Sequence, residues 1–344
     1  MLKVGLVGLG FMGSSHLSVY KKMIADGLDV EVVAICDVCE SKFTGKGTQG
    51  NLDTVSSDLD LSSYNLYTDM EEMIEKEDLD FVDLAVPTFI HDKLAIIAMK
   101  KGVDVFCEKP MAICYSDCQD MIKTSKETGK KLMIGQTLRY WNTYEYLKET
   151  IDNNSLGKVT SGYFFRGGST PIWSWENWLL TKDRSGGALL DQHIHDVDAI
   201  NWLFGVPKAV STIGKIVYEG SGYDALSTNY IYENNMVINA QDDWTINGKG
   251  FGFKMMYRVN FEKGAIVYEQ GKTTVYPVDG EMFEAPLTSE DAYYKEIRLF
   301  MECIKGDDKT LDLFGLLESH AVTIKIGECE IESADKMGQP IEIK

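Results

Sequence analysis

Three carboxylates and two imidazoles that could do acid–base chemistry fall in one short run, Gly186 to Gly205, which reads GGALLDQHIHDVDAINWLFG. Asp191 and His195 are one helical turn apart. A carboxylate at that spacing can orient an imidazole and raise its basicity, which is what a general base needs. Helical spacing is supported by Leu190, Ile194, Val197 and Phe204, which recur at steps that place them near one apolar face. Asp191, His195, Asp198 and Trp202 border that stripe, and Gly205 followed by Val206-Pro207 reads as the helix stop. On that border His195 reads either as a catalyst or as a satisfied structural histidine. A metal centre on His193 and His195 is not expected: on a helix they point about 200° apart, and no third ligand is placed to join them.

A second constellation opens the chain. Lys3 to Gly8 has the small and apolar pattern of a buried parallel strand. It runs into Gly8-Leu9-Gly10-Phe11-Met12-Gly13, a G-x-G-x-x-G, and then into a helical pattern through about Met23. The first glycine permits the tight turn, the second admits a pyrophosphate to the backbone, and the third lets helix pack on strand. The next strand, Val30 to Cys36, ends in Asp37, about two dozen residues beyond Gly13 and near the roughly 20 expected for a carboxylate that grips ribose hydroxyls. A carboxylate there repels a 2′-phosphate and no Arg follows closely, so NAD is expected as the cofactor. NADP stays as the alternative because Lys42 could reach in.

The elements that must position these residues follow from the remaining periodicity. After a long polar stretch, Glu40 to about Leu66, Asp69 reads as the N-cap of a short helix. Strands at Asp80–Val86, Val103–Cys107 and Lys131–Gly135 alternate with helical segments at about 90–101 and 116–128. This βαβ alternation predicts a doubly wound parallel sheet over residues 1–136, a Rossmann domain. Residues 137–344 predict an α+β domain with a large, mostly antiparallel open sheet. Its strands are expected near 158–166, 208–218, 227–232, 236–246, 251–261, 265–269 and 273–278, with helices at 143–153 and 288–334, the latter broken near Gly306-Asp307-Asp308.

Composition narrows the function classes. The 344 residues are 44% apolar and 25% charged, as in an ordinary globular protein, and are long for one core. A formal net charge of −19 argues against nucleic acid and anionic membranes as partners. The start at Met1-Leu2-Lys3 leaves no room for a signal peptide, and no apolar run approaches a membrane span. Seven scattered cysteines, with Cys36-x-x-Cys39 and the near pair Cys114 and Cys118, fit reduced thiols better than a zinc or redox site, so a cytoplasmic location is expected.

The strand–GLGFMG–helix start, Pro87 with His91, the Glu108-Lys109-Pro110 triplet and the GG…Asp191-x-x-x-His195-Asp196 helix occur in an order that resembles the glucose-fructose oxidoreductase/inositol dehydrogenase/MocA (Gfo/Idh/MocA) family. The resemblance implies a hydride transfer between nicotinamide and a secondary alcohol of a polyol, inositol or sugar-like substrate. Lys109 and His195 would flank the alcohol, His195 taking the hydroxyl proton while the Lys109 ammonium stabilises the developing oxyanion. Asp191 would hold a substrate hydroxyl and orient His195. It further implies that Gly8, Gly10, Phe11, Met12, Gly13, Asp37, Pro87, His91, Glu108 and Lys109 surround the cofactor, and that subunits pair through the open sheet as a homodimer or homotetramer.

Trp173 and Trp175, with Trp178 and Arg166, lie just upstream of the histidine helix. They suit either a sugar ring stacked on aromatic faces or a core or subunit contact. Arg139 and Tyr140, just past the last strand of the first domain, could line the same cleft. Two other readings stand beside the dehydrogenase: a glycosidase that uses held NAD for a transient oxidation, and a cofactor-sensing protein without turnover. The joint presence of Lys109, Asp191 and His195 disfavours the sensor, which needs no proton relay.

Overall fold

A computed structural model describes residues 1–46, 59–306 and 312–344. The chain opens with β1 (Leu2–Val7), α1 (Phe11–Ala25), β2 (Val30–Cys36), β3 (Asn65–Tyr67), α2 (Met70–Lys76), β4 (Phe81–Leu84), α3 (His91–Lys100), β5 (Asp104–Glu108), α4 (Tyr115–Thr128) and β6 (Leu132–Gly135). All six strands run parallel in the order β3-β2-β1-β4-β5-β6, the doubly wound arrangement whose ligand crevice lies at the carboxyl ends of β1 and its neighbours. Val4, Leu6, Val82, Leu84, Val105 and Phe106 are fully buried, which explains why these strands read as continuous apolar runs. Asp69 caps α2 as expected, its carboxylate accepting the Glu72 N–H at 2.9 Å.

Part of the polar stretch at 40–66 lies outside the described residues. Its beginning, Glu40–Thr44, is a 3₁₀ turn, and its end supplies the edge strand β3. The expected break near Gly306-Asp307-Asp308 also falls mostly outside them.

Beyond β6 come α5 (Asn142–Asp152), β7 (Val159–Gly167), α6 (Lys182–Ser185), α7 (Ile194–Phe204), β8 (Ala209–Lys215), β9 (Ala225–Ile231), β10 (Val237–Asp243), β11 (Lys254–Phe261), β12 (Gly264–Glu269), β13 (Lys272–Pro277) and β14 (Phe283–Glu284). Then follow α8 (Ala292–Lys305), α9 (Leu313–Asp335) and β15 (Ile341–Glu342). The second sheet has the order β14-β13-β12-β11-β7-β10-β9-β8-β15 and is antiparallel except where β7 meets β10. Alternate residues of β7 and β10 are buried, among them Phe164, Arg166, Ile238, Ala240 and Asp242. They form the inner face, where Phe164, Tyr144 and Tyr257 pack with ring centroids 5.1 to 6.0 Å apart.

Two units emerge: Met1–Gly135 with Tyr293–Ala321, and Gln136–Ala292 with Val322–Lys344. The return of α8 to the first unit has no signal in its helical periodicity. Phe300 anchors it there, packing on Phe81 of β4 and Phe106 of β5 at 5.4 and 5.8 Å. Among the described residues, no helix is long and apolar enough to cross a membrane.

Candidate active site

In the first unit the glycine turn is dictated by sterics. Gly8 has φ +94°, and a Cβ there would lie 2.3 Å from the Ala85 carbonyl oxygen; a Cβ on Gly13 would lie 1.8 Å from the Gly8 oxygen. Gly10 differs, because a Cβ there would meet nothing within 4 Å. Its bareness serves an approach from outside rather than internal packing. The first turn of α1 carries no acidic residue, and Phe11 and Met12 lie half-buried within it. Helix start and open backbone together fit a pyrophosphate.

Asp37, at the end of β2, is 5% exposed. Its Oδ2 accepts the Leu9 N–H at 2.7 Å and the Lys42 ammonium at 2.9 Å, and Oδ1 accepts the Cys39 N–H at 2.9 Å. The neighbouring Cys36 thiol is pushed up to about 12 by burial and by Asp37, which makes it a poor thiolate.

At the ends of β4 and β5 the expected cofactor residues divide. Lys109 and Pro87 are half-buried, whereas His91 and Glu108 are in the interior. The His91 ring lies between the Pro110 and Val86 carbonyl oxygens, both at 2.8 Å, and burial lowers its pKa against the pull of those carbonyls. That position ties the strand-end loops together instead of presenting the ring outward. Glu108 likewise faces inward. Its Oε2 accepts the Lys109 N–H at 3.0 Å, and its Oε1 lies 3.0 Å from His16 Nε2. His16, buried on α1, sets its Nδ1 3.0 Å from both oxygens of Asp83, and Tyr20 donates to Asp83 at 2.8 Å.

In the second unit the residues before α7 form a π-helical turn, Leu189–His193, a local irregularity often found at functional sites. From Gln192 through Asn201 only His195 escapes full burial; Asp191, one turn earlier, is also half-exposed. Between Ala188 and Asn201 the accessible residues are therefore Asp191 and His195, and Trp202 and Phe204 in the last turn of α7 are half-buried as well. His193 faces the interior, with Nε2 3.1 Å from Glu330 Oε2 and 3.3 Å from the Tyr230 hydroxyl. Among the described residues no group of three or more His, Cys, Asp and Glu side chains could hold a metal ion.

Arg139 and Arg166, expected to line the substrate cleft, are instead buried in carboxylate pairs. Arg139 binds Asp198 through two contacts of 2.7 Å, and Thr323 donates to the same carboxylate at 2.9 Å. Arg166 meets Asp196 at 3.2 and 3.3 Å. Both aspartates belong to the buried face of α7, and a buried guanidinium needs such a partner. Trp173 and Trp175 lie near the surface at 36% and 37% exposure, outside the core. Arg184 stacks 5.2 Å from the Trp175 ring, and the adjacent Glu176 and Asn177 have left-handed φ of 49° and 52°.

Asp242 was not singled out in the sequence. It sits beside Arg166 in the β7–β10 register, fully buried, and burial, reinforced by Asp196, pushes its carboxyl well above the usual range. A group with a raised folded pKa contributes stability at low pH that is lost as pH rises through that pKa. Below it Asp242 is a neutral acid, so in urea titrations at acidic pH, below that raised value, Asp242→Asn is expected to change unfolding free energy by less than about 1 kcal/mol. A loss of several kcal/mol would show an ionised Asp242 balancing the cations around it.

A glycine turn on a doubly wound parallel sheet, with a second unit built on a nine-stranded sheet, defines a two-unit, dinucleotide-binding oxidoreductase architecture. Residues 2–136 match the oxidoreductase family model with an NAD-binding Rossmann fold, and residues 144–267 match the GFO/IDH/MocA C-terminal domain. The chain belongs to the Gfo/Idh/MocA oxidoreductase family.

Among its relatives, the 2,7-anhydro-N-acetylneuraminate hydratase of Mediterraneibacter gnavus is 29% identical over 67% of this chain and 58% of its own length. The inositol 2-dehydrogenase of Salmonella typhimurium is 30% identical over 59% of this chain and 54% of its own. The chain thus spans less than three fifths of the length of these curated relatives. A levoglucosan dehydrogenase in complex with NADH and levoglucosan shares the fold, with a TM-score of 0.81 at 18% identity and 99% of both chains covered. An oxidoreductase of Thermotoga maritima does so with a TM-score of 0.80 at 20% identity, over 99% of this chain and 98% of its own.

Proposed function

We propose that the chain is an NAD-dependent dehydrogenase of a secondary alcohol on a polyol, inositol or sugar-like substrate. The observation that carries this reading is the paired accessibility of Asp191 and His195 on an otherwise buried helical segment, in a chain whose glycine turn fits a dinucleotide. The backbone of Gly8, Gly10, Phe11, Met12 and Gly13 would hold the pyrophosphate and Asp37 the ribose hydroxyls. Bound NAD supplies the hydride acceptor. His195 takes the hydroxyl proton of the substrate, and the Lys109 ammonium stabilises the oxygen as negative charge develops. Asp191 accepts a hydrogen bond from a neighbouring hydroxyl and orients His195. Trp173 and Trp175 offer apolar faces to the C–H side of a ring.

A second reading is favoured by the hydratase relative, whose named reaction is the addition of water. In that reading the same proton-handling residues act in a cycle that returns the cofactor to its starting state.

Absorbance near 340 nm of the purified protein with NAD and a panel of inositols, sugars and sugar acids distinguishes these readings. Accumulating reduced nicotinamide with one compound class is the expected result. Conversion of an anhydro-sugar with no net reduction would replace the dehydrogenase by the second reading, and nucleotide binding without conversion of any compound would replace both by a sensor.

A further inference from the structure

The carboxylate expected to hold the ribose is already heavily engaged. A carboxylate offers about four acceptor positions, two on each oxygen. On Asp37, Oδ2 takes the Leu9 N–H and the Lys42 ammonium, and Oδ1 takes the Cys39 N–H. One position, on Oδ1, remains for a ribose that brings two hydroxyls. The two backbone donors are fixed by the glycine turn and by the bend after β2. Lys42 is the movable one: its side chain is 24% exposed against 4% for Asp37, and it rises from the short 3₁₀ turn Glu40–Thr44.

We propose that Lys42 sets the choice between NAD and NADP, by competing with the ribose hydroxyls of NAD for Asp37 Oδ2 and by turning to the 2′-phosphate when NADP is held. The inference rests on the cofactor reading above. With Lys42 in place the Asp37 carboxylate is neutralised, so the repulsion that an unpaired aspartate exerts on a 2′-phosphate is cancelled at its source. A phosphate then gains a charge-assisted contact from Nζ, and Asp37 keeps its two backbone donors. For NAD the balance is opposite, because the second hydroxyl finds Oδ2 occupied until the ammonium leaves. Removing the ammonium must therefore weaken NADP without weakening NAD, whereas a merely structural Lys42 would shift both alike.

Calorimetric titration of the purified chain with NAD⁺ and, separately, with NADP⁺ reads this without turnover. In Lys42→Met, NADP⁺ is expected to bind at least about tenfold more weakly, the scale of one lost charge-assisted contact, while NAD⁺ binds equally or a few-fold more tightly. Lys42→Arg is expected to keep NADP⁺ within about threefold of the parent, since a guanidinium also recognises phosphate. The parent's NADP⁺ affinity is also expected to fall more steeply with salt than that of Lys42→Met. Equal losses for both nucleotides, or an unchanged ratio, overturn the role of Lys42. If neither nucleotide binds the parent chain, the cofactor reading itself fails and this inference with it.

Discussion

Replacing His195 by alanine is expected to lower turnover by roughly two to four orders of magnitude, the range for losing a general base. The variant separates chemistry from folding cleanly. His195 is half-buried on a segment whose neighbours are buried, so its truncation should change unfolding free energy by no more than about 1–2 kcal/mol, far less than global unfolding requires. The residues proposed to contact the cofactor lie in the other unit, so the dissociation constant for NAD is expected to stay close to the parent value. A fall in kcat with both controls within these bounds assigns the proton transfer to His195. Asp191→Asn keeps a hydrogen-bonding group of the same shape and is expected to lose less, with its effect divided between KM and kcat because Asp191 is argued both to hold a hydroxyl and to orient the ring. If His195→Ala turns over at the parent rate, the base lies elsewhere and the accessibility of this pair has another reason.

The parts of this arrangement that were legible in sequence are those in which backbone chemistry leaves little choice. A strand, a G-x-G-x-x-G and a helix can satisfy Gly8 and Gly13 in essentially one way, and the structure shows why: each Cβ would enter a carbonyl. The Asp191–His195 spacing placed both side chains on one border, where they remain half-exposed. The burial of Arg166 follows from parity. Phe164 and Arg166 share one face of β7 by the two-residue period, so an apolar Phe164 already sends Arg166 inward, where Asp196 must meet it. Arg139 carried no such cue, because its partner Asp198 is far along the chain and only the fold brings them together. His91 was read by its resemblance to a motif, and its burial between two carbonyls is a tertiary outcome that spacing cannot express. The burial of His16 also has a cue in the sequence. It shares the buried face of α1 with Tyr20 and Met23, and Asp83 interrupts an otherwise apolar strand, so each buried polar group required the other.

The second large effect belongs to the cluster of His16, Asp83 and Glu108. Two carboxylates and one imidazole are buried together, and both ring nitrogens face carboxylate oxygens at 3.0 Å, which requires both nitrogens to donate. Burial alone would strip the ring of its proton, but Asp83 and Glu108 together outweigh it and hold the His16 pKa well above the ordinary 6.5. The Tyr20 hydroxyl donates to Asp83, and the rings of Phe106 and Tyr293 lie 5.9 and 6.1 Å from the imidazole; none of these three groups is a cation. His16→Gln removes the charge and leaves two buried carboxylates facing a neutral amide. The expected loss is about 3–5 kcal/mol of unfolding free energy, as for a buried ion pair broken at one partner. Because the folded pKa is raised, the contribution is complete below about pH 6.5 and declines as pH rises toward the folded value, by at most about 1.4 kcal/mol per pH unit. Urea titrations of the parent from pH 6 to 9 should show that decline, and His16→Gln should flatten its share of it; His193, raised by Glu330, accounts for a further part with the same sign. Adding Asp83→Asn to His16→Gln is expected to restore part of the loss, since it removes one of the stranded charges. A loss under about 1 kcal/mol, with the pH slope intact, would mean that the carboxylates take up protons in the variant and that the imidazolium does not hold the cluster. The effect should also extend to turnover. Glu108 Oε2 accepts the Lys109 N–H, so a Glu108 that loses its imidazolium no longer fixes the backbone from which the proposed oxyanion-stabilising ammonium extends.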